Sequence, residues 1–137
     1  MTAGTPLGLV LLWLALGAAG GALFVGVGRR RTGRAARVWW AGGLVVVTLA
    51  YVGFAVARSA PPLALAVEAV GVVAYGACAG LGLRGHRGWL AAGWLLHPLW
   101  DVGLHAGVAL APAWYVWACL GFDAVVGVSL YASAVRR

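Results

Sequence analysis

Two histidines and an aspartate follow one another at four-residue intervals in an otherwise apolar stretch, AGWLLHPLWDVGLHAG at residues 92–107. They are His97, Asp101 and His105, and in an α-helix this spacing places all three near one face, about 40° apart per step. Imidazole nitrogens and carboxylate oxygens bind Zn²⁺, Fe²⁺ and Mn²⁺, and they also exchange protons. The stretch therefore indicates either a metal site or an acid–base site.

The three acidic residues of the chain, Glu68, Asp101 and Asp123, all lie in apolar segments. An acid in the middle of a bilayer costs about 2.5–3.5 kcal/mol on the insertion scale, so such groups usually face the interior of a helix bundle and mark a functional site. We therefore predict that these three carboxyl groups do chemistry. The alternative is a structural clamp of hydrogen-bonded neutral acids, but polar helix contacts in membranes contribute only about 0.6 kcal/mol on average.

A metal site is the first hypothesis, with an unidentified divalent transition metal such as Zn²⁺ as the cofactor. Its candidate ligands are His97, Asp101, His105 and Asp123. The two histidines lie about 12 Å apart along a straight helix, too far to bind one ion. A single ion is therefore expected to use Asp101 and His105 with Asp123 or Glu68. The sequence has no H-E-x-x-H motif and does not favour a zincin-type protease.

A metal-free reaction on a lipid, such as an isomerisation or cyclisation, is the second hypothesis. A carboxyl held protonated in an apolar medium can donate a proton, and tryptophan faces can stabilise a carbocation by cation–π contact. The residues expected to line the pocket are Trp94, Trp100, Tyr75 and Cys119. The pattern is similar in chemistry and spacing to that of membrane sterol isomerases of the emopamil-binding type. A proton relay or an accessory subunit without catalytic activity is the third hypothesis, because ladders of acids and histidines also form proton paths.

Composition identifies the elements that must position these groups. The chain has 137 residues, of which 64% are hydrophobic and 9% are charged, whereas about a quarter of the residues of a soluble domain are charged. We predict one all-α domain, residues 1–137, forming an integral membrane bundle of about five transmembrane helices, since each crossing needs about 20 apolar residues. The predicted spans are 6–28, 38–57, 63–83, 88–110 and 113–135, with a hairpin at Ala111 and Pro112.

The predicted spans also give depths, at about 1.5 Å of rise per residue. Asp101 and Asp123 fall near the midplane of two adjacent antiparallel helices, so their carboxyl groups can face one another. Glu68 falls near the level of His105. We expect one polar pocket between spans three, four and five, in the outer half of the bilayer. Pro98 is expected to bend span four there and to free a backbone carbonyl.

Arginine supplies all ten basic residues, and its distribution predicts the orientation. Nine lie on one side of a five-span arrangement: Arg29, Arg30, Arg31, Arg34 and Arg37 in the first loop, Arg84 and Arg87 in the third, and Arg136 and Arg137 in the tail. Arg58 alone lies on the other side. The positive-inside rule then puts the N-terminus outside and the C-terminus in the cytoplasm. The expected partners are the lipid bilayer and a lipophilic small molecule, not a nucleic acid.

Glycine pairs at four-residue spacing occur in several spans. They are Gly4/Gly8, Gly17/Gly21, Gly76/Gly80 and Gly103/Gly107. Small residues at this spacing allow helix backbones to approach closely in a membrane, so the pairs indicate a tightly packed bundle.

Residues 63–135 resemble an uncharacterised family of short bacterial membrane proteins that is classed as a domain of unknown function. The family's GWLLHxxWD stretch corresponds to residues 93–101, its following histidine to His105, its C-x-x-x-D pair to Cys119 and Asp123, and its earlier acid to Glu68. The resemblance implies a multi-pass protein of a bacterial plasma membrane and supports these residues as one set. The family often has two histidines after the aspartate, but this chain has Leu104 and His105. The resemblance implies no activity.

Overall fold

Five α-helices make up the computed structural model, which describes residues 5–105 and 110–136. They are α1 (Leu7–Arg29), α2 (Gly33–Ala57), α3 (Pro62–Leu83), α4 (Arg87–Trp100) and α5 (Ala113–Val135), and α4 continues into a π-helical turn at Asp101–His105. The described residues contain no strand, so the predicted all-α bundle is confirmed. Residues 106–109 of predicted span four, together with Gly4 and Gly107, lie outside the described residues.

Four of the helices, α1, α2, α3 and α5, have the length and hydropathy needed to cross a membrane, at 22 to 25 residues each. Large apolar side chains are exposed on every helix, among them Leu23, Val46, Val73, Leu99 and Val128. Such a surface is suited to lipid and not to water. The chain is therefore a helical protein of the multi-pass membrane type, and its surface is compatible with contact with a lipid bilayer.

Local sequence signals set most of the helix ends. Proline precedes or opens α1, α3 and α5, where its fixed φ suits the first turn and its missing N–H costs nothing. Gly85 has a φ of +110° between α3 and α4, a conformation that other residues avoid. Helix α2 begins at Gly33, five residues before the predicted span, because hydropathy marks the apolar part of a helix and not its arginine-bearing first turn.

Helix α4 lies at the centre of the packing and contacts α2, α3 and α5, while α1 packs mainly on α5. The α1–α5 contact depends on glycine. A Cβ on Gly17 would collide with the backbone of Ala118, and one on Gly21 would lie 2.7 Å from the carbonyl oxygen of Phe122. Gly121 lies equally close to the backbone of α1. The Gly17/Gly21 spacing thus correctly indicated a close helix contact.

The other described glycines of the predicted pairs do not support such contacts. A Cβ on Gly8, Gly76, Gly80 or Gly103 would meet nothing within 4 Å among the described residues. The four-residue spacing therefore identified glycines that could lie at a helix contact. It could not show which of them face another helix, because glycines on the exposed face of a helix can have the same spacing.

An aromatic cluster joins α1, α2, α4 and α5 in the core. Phe24 has its ring centroid 4.7 Å from Trp39, 5.7 Å from Trp94 and 5.4 Å from Phe122. The indole N–H of Trp94 donates to the Trp40 carbonyl at 3.1 Å, so this buried ring leaves no donor unsatisfied. The cluster fixes α4 one turn before the polar segment.

We predict that Gly121→Ala destabilises the protein by about 1–3 kcal/mol, because the added methyl group must displace the backbone of α1. Gly76→Ala is the matched control, since its Cβ would meet open space, and it should be neutral or slightly stabilising. Denaturant unfolding in detergent, followed by circular dichroism, measures both. Equal stability of the two variants would contradict the close α1–α5 packing.

Candidate polar site

The polar segment of α4 changes helix type at its centre. Pro98 lies inside the helix, where it cannot donate the usual hydrogen bond to the carbonyl of Trp94. The π-helical turn Asp101–His105 follows directly, and both of its end residues are buried. Single π-helical turns inside α-helices are often found at functional sites, because the extra residue redirects side chains. Here the turn aims two polar side chains into the bundle.

Four side chains from α4 and α5 converge in a buried cluster that we call the HDCD cluster: His97, Asp101, Cys119 and Asp123. His97 Nδ1 is hydrogen-bonded to Asp123 Oδ2 at 2.7 Å and lies 3.5 Å from Asp101 Oδ2. The Cys119 thiol donates to the same Asp123 oxygen at 3.5 Å. One potential ligand atom from each residue lies within 4.8 Å of all the others.

A second buried pair links α3 to the π-helical turn. His105 Nε2 and Glu68 Oε1 are 2.5 Å apart. The ring of Tyr51, from α2, stacks on the His105 ring with centroids 4.3 Å apart and lies 6.0 Å from the His97 ring. Tyr51 therefore lies between the HDCD cluster and the Glu68–His105 pair, and the two form one continuous polar region.

Unsatisfied polar atoms are concentrated in this region. Among the described residues, the buried side-chain nitrogens and oxygens that lack a hydrogen-bond partner are Tyr51 Oη, Asp101 Oδ1 and Oδ2, His105 Nδ1 and Asp123 Oδ1. Asp101 and Asp123 have no exposed surface at all (0%). Leaving such groups unpaired is costly in an apolar medium, so native structures rarely do so without a bound ion, water or ligand.

The pairing of histidines with acids differs in part from the one expected from helix spacing. Asp101 and Asp123 do face one another, and Glu68 does lie at the level of His105, as the depths predicted. However, His97 and not His105 joins the two aspartates. Asp123 reaches His97 from α5, whereas the π-helical turn directs His105 to Glu68 on α3. The two histidines thus belong to separate pairs.

Three aromatic residues that were expected to line the pocket lie at different distances from it. Tyr75 is closest, with its ring edge-on to His97 at 5.0 Å and its hydroxyl donating to the Leu96 carbonyl. Trp100 packs against Tyr75 at 6.1 Å. Trp94 belongs to the aromatic cluster described above. The two tryptophans therefore pack against residues next to the site, whereas Tyr75 borders the site directly.

Tyr51 is the functional-site residue that the sequence did not single out. A phenol in the middle of an apolar span is a polar group at membrane depth, the same signal that identified the acids. The signal is weaker for tyrosine, because tyrosine also occurs as an ordinary core aromatic and as an interface anchor. A consistent search for every hydrogen-bonding side chain inside a span would have found it.

An apolar groove of about 270 Å³ leads from the lipid-facing surface to Cys119. Its walls come from α1, α2 and α5, and its aromatic members are Trp13, Trp114, Tyr115 and Phe122. Because Cys119 lines the groove and also contacts Asp123, the groove adjoins the HDCD cluster. An apolar chain lying in the groove would have its end close to the polar side chains.

The HDCD cluster has the donor set of a transition-metal site. An imidazole nitrogen, a thiol sulfur and two carboxylate oxygens are all ligands that Zn²⁺ accepts in tetrahedral coordination. The free carboxylate oxygens of Asp101 and Asp123 supply further acceptor capacity. Comparison with family models, with curated proteins and with solved structures finds no match to this chain.

Proposed function

We propose that the protein binds one divalent transition metal ion, such as Zn²⁺, inside the membrane through His97, Asp101, Cys119 and Asp123. The proposal rests on one combined observation: the potential ligand atoms of the HDCD cluster lie close together, and several of its oxygens lack hydrogen-bond partners. Four potential ligand atoms lie within 4.8 Å of one another, and three carboxylate oxygens of the same cluster have no hydrogen-bond partner.

Charge supports a cation at this position. Two carboxyl groups face a single imidazole in the HDCD cluster, so the histidine can balance the charge of at most one ionised carboxylate. Uncompensated charge is expensive at low dielectric, and buried charges are normally paired or bound to metals. A divalent ion would supply the missing positive charge and would satisfy the free oxygens at the same time.

A purely structural clamp explains these contacts less well. A clamp stabilises helix packing through the hydrogen bonds it makes, and fully satisfied polar networks are the ones that do so. Here both oxygens of Asp101 lack a hydrogen bond, and so does Asp123 Oδ1. Removing Asp101 would therefore cost few hydrogen bonds, and its presence is better explained by a bound ligand.

We further propose that the site acts on a lipophilic substrate, and the groove that ends at Cys119 supports this. A hydrocarbon chain entering from the bilayer would meet Trp13, Trp114 and Phe122 and would bring its polar end to the HDCD cluster. A bound metal would act there as a Lewis acid. If no metal binds, the same buried carboxyl groups fit the metal-free alternative, proton transfer to a lipid.

The location belongs to the same proposal. We place the protein in a bacterial plasma membrane with its N-terminus outside and its C-terminus in the cytoplasm, as the arginine distribution and the resemblance to small bacterial membrane proteins imply. Arg29, Arg31, Arg37 and Arg87 line one cavity at the same end of the bundle, which supports placing these loops on one side of the membrane.

We predict about one bound transition metal per chain in protein purified without chelator, measured by plasma mass spectrometry. Asp101→Asn should reduce the bound metal to below about a tenth, because losing even a supporting group costs 10–100-fold in affinity and a direct ligand should cost at least as much. Glu68→Gln is the matched control, since it neutralises another buried carboxyl group outside the HDCD cluster, and it should retain the metal.

Circular dichroism and gel filtration verify that both variants stay folded. The absence of metal from the native protein after Zn²⁺, Fe²⁺ and Mn²⁺ have each been added back would refute metal binding. Equal loss of metal in Asp101→Asn and Glu68→Gln would instead show that the ion is not bound by the HDCD cluster.

The predicted orientation can be tested with single added cysteines, which are labelled with a membrane-impermeant maleimide in intact bacterial cells. Ser59→Cys, between α2 and α3, should react from outside, whereas His86→Cys, between α3 and α4, should react only after permeabilisation. The parent chain, whose own Cys119 is buried and Cys78 half-buried, provides the blank. The reverse labelling pattern would contradict the proposed topology.

A further inference from the structure

A second cavity, of about 440 Å³, lies at the end of the bundle where α1 and α5 end and α2 and α4 begin. Its polar lining consists mainly of four arginines and two serines: Arg29, Arg31, Arg37, Arg87, Ser129 and Ser133. Its volume falls within the range of pockets that hold small ligands, about 300–1,000 Å³. We call it the arginine cavity.

No acidic side chain within residues 5–105 and 110–136 lies at this cavity to balance its charge. No acidic residue is among its lining residues. The only three acids of the sequence are Glu68, Asp101 and Asp123, and all are buried in the polar site described above. Four guanidinium groups around one cavity repel one another, and this repulsion favours the entry of an anion. The acidic side chains of the chain are not placed to supply that anion.

The arginines are partly oriented and still have donors to spare. Arg29 donates to the Ser129 hydroxyl at 3.0 Å, and Arg37 Nε donates to the Leu83 carbonyl at 3.2 Å. Each guanidinium has five N–H donors, so most remain free after one such bond. The half-buried Arg87 side chain has no hydrogen-bond or ion-pair partner within residues 5–105 and 110–136.

We propose that the arginine cavity binds a phosphate group. Arginine forks match phosphate oxygens in geometry and charge, and the serine hydroxyls can donate to the same oxygens. The buried Trp40 and Leu90 form an apolar wall beside these groups. The cavity lies at the ends of membrane-spanning helices, where a phospholipid headgroup and free phosphate are both within reach, and basic pockets between such helices bind lipid headgroups.

The test compares two sources of phosphate on the full chain. Native mass spectrometry of protein taken from phosphatidylglycerol or phosphatidylcholine nanodiscs measures a retained lipid. Thermal unfolding in detergent with inorganic phosphate, against chloride at equal ionic strength, measures the free anion. Arg87→Gln should weaken the binding of whichever phosphate binds by about tenfold, since it removes a charge-assisted hydrogen bond.

Arg34→Gln is the matched control, because Arg34 is exposed at the same end of the bundle but does not line the cavity. It should leave binding unchanged. The double variant Ser129→Ala/Ser133→Ala provides a second test without a change in charge, and it should also weaken binding. Equal effects of Arg87→Gln and Arg34→Gln would show diffuse charge attraction only, and failure of both probes to bind the parent chain would also overturn the proposal.

Discussion

A carboxyl group in the middle of an apolar bundle needs a partner or a proton to offset its buried charge, and His97 provides that partner for Asp123 across α4 and α5. The contact requires the two helices to be adjacent, with His97 facing α5 and Asp123 facing α4. Pro98 and the π-helical turn then determine where the next side chains point. Asp101 turns toward His97, and His105 turns toward Glu68 on α3. The polar region thus follows from one pairing and one irregular turn.

The rest of the bundle holds this pairing in place and buries it. The aromatic cluster around Phe24 fixes α4 against α1, α2 and α5 on one side of the site. Tyr51 covers His105 and closes the site toward α2. Among the residues that the structure describes, Cys119 belongs both to the HDCD cluster and to the lining of the apolar groove, so the groove adjoins the cluster on the α5 side. Under the proposed function, an apolar substrate would reach the enclosed polar centre through this groove.

The sequence was most informative where one free-energy cost, such as that of placing polar or charged groups in an apolar medium, determined the structure. Hydropathy located the helices, because an apolar segment of about 20 residues has few alternatives. The cost of buried charge identified Glu68, Asp101 and Asp123, and the rise per residue correctly placed Glu68 beside His105. These inferences needed no knowledge of which helix faces which.

The sequence was less informative where several arrangements have similar costs. Spacing could not decide which histidine meets which aspartate, because that choice depends on the rotation of α5 and on the π-helical turn. It also did not reveal Tyr51, whose residue type has ordinary structural uses, or the packing of α1 on α5, since glycines on lipid-facing and buried faces have the same spacing. Each of these depends on contacts between helices that are distant in the chain.

The central claim is that His97, Asp101, Cys119 and Asp123 bind one metal ion. X-ray absorption spectroscopy at the zinc edge of zinc-loaded protein tests it most directly, because it identifies the atoms bound to the metal. The account predicts a sulfur neighbour at about 2.3 Å together with nitrogen and oxygen neighbours. The sulfur signal should disappear in Cys119→Ser and persist in Cys78→Ser. A metal bound only by nitrogen and oxygen, or a sulfur signal that survives Cys119→Ser, would contradict the assignment.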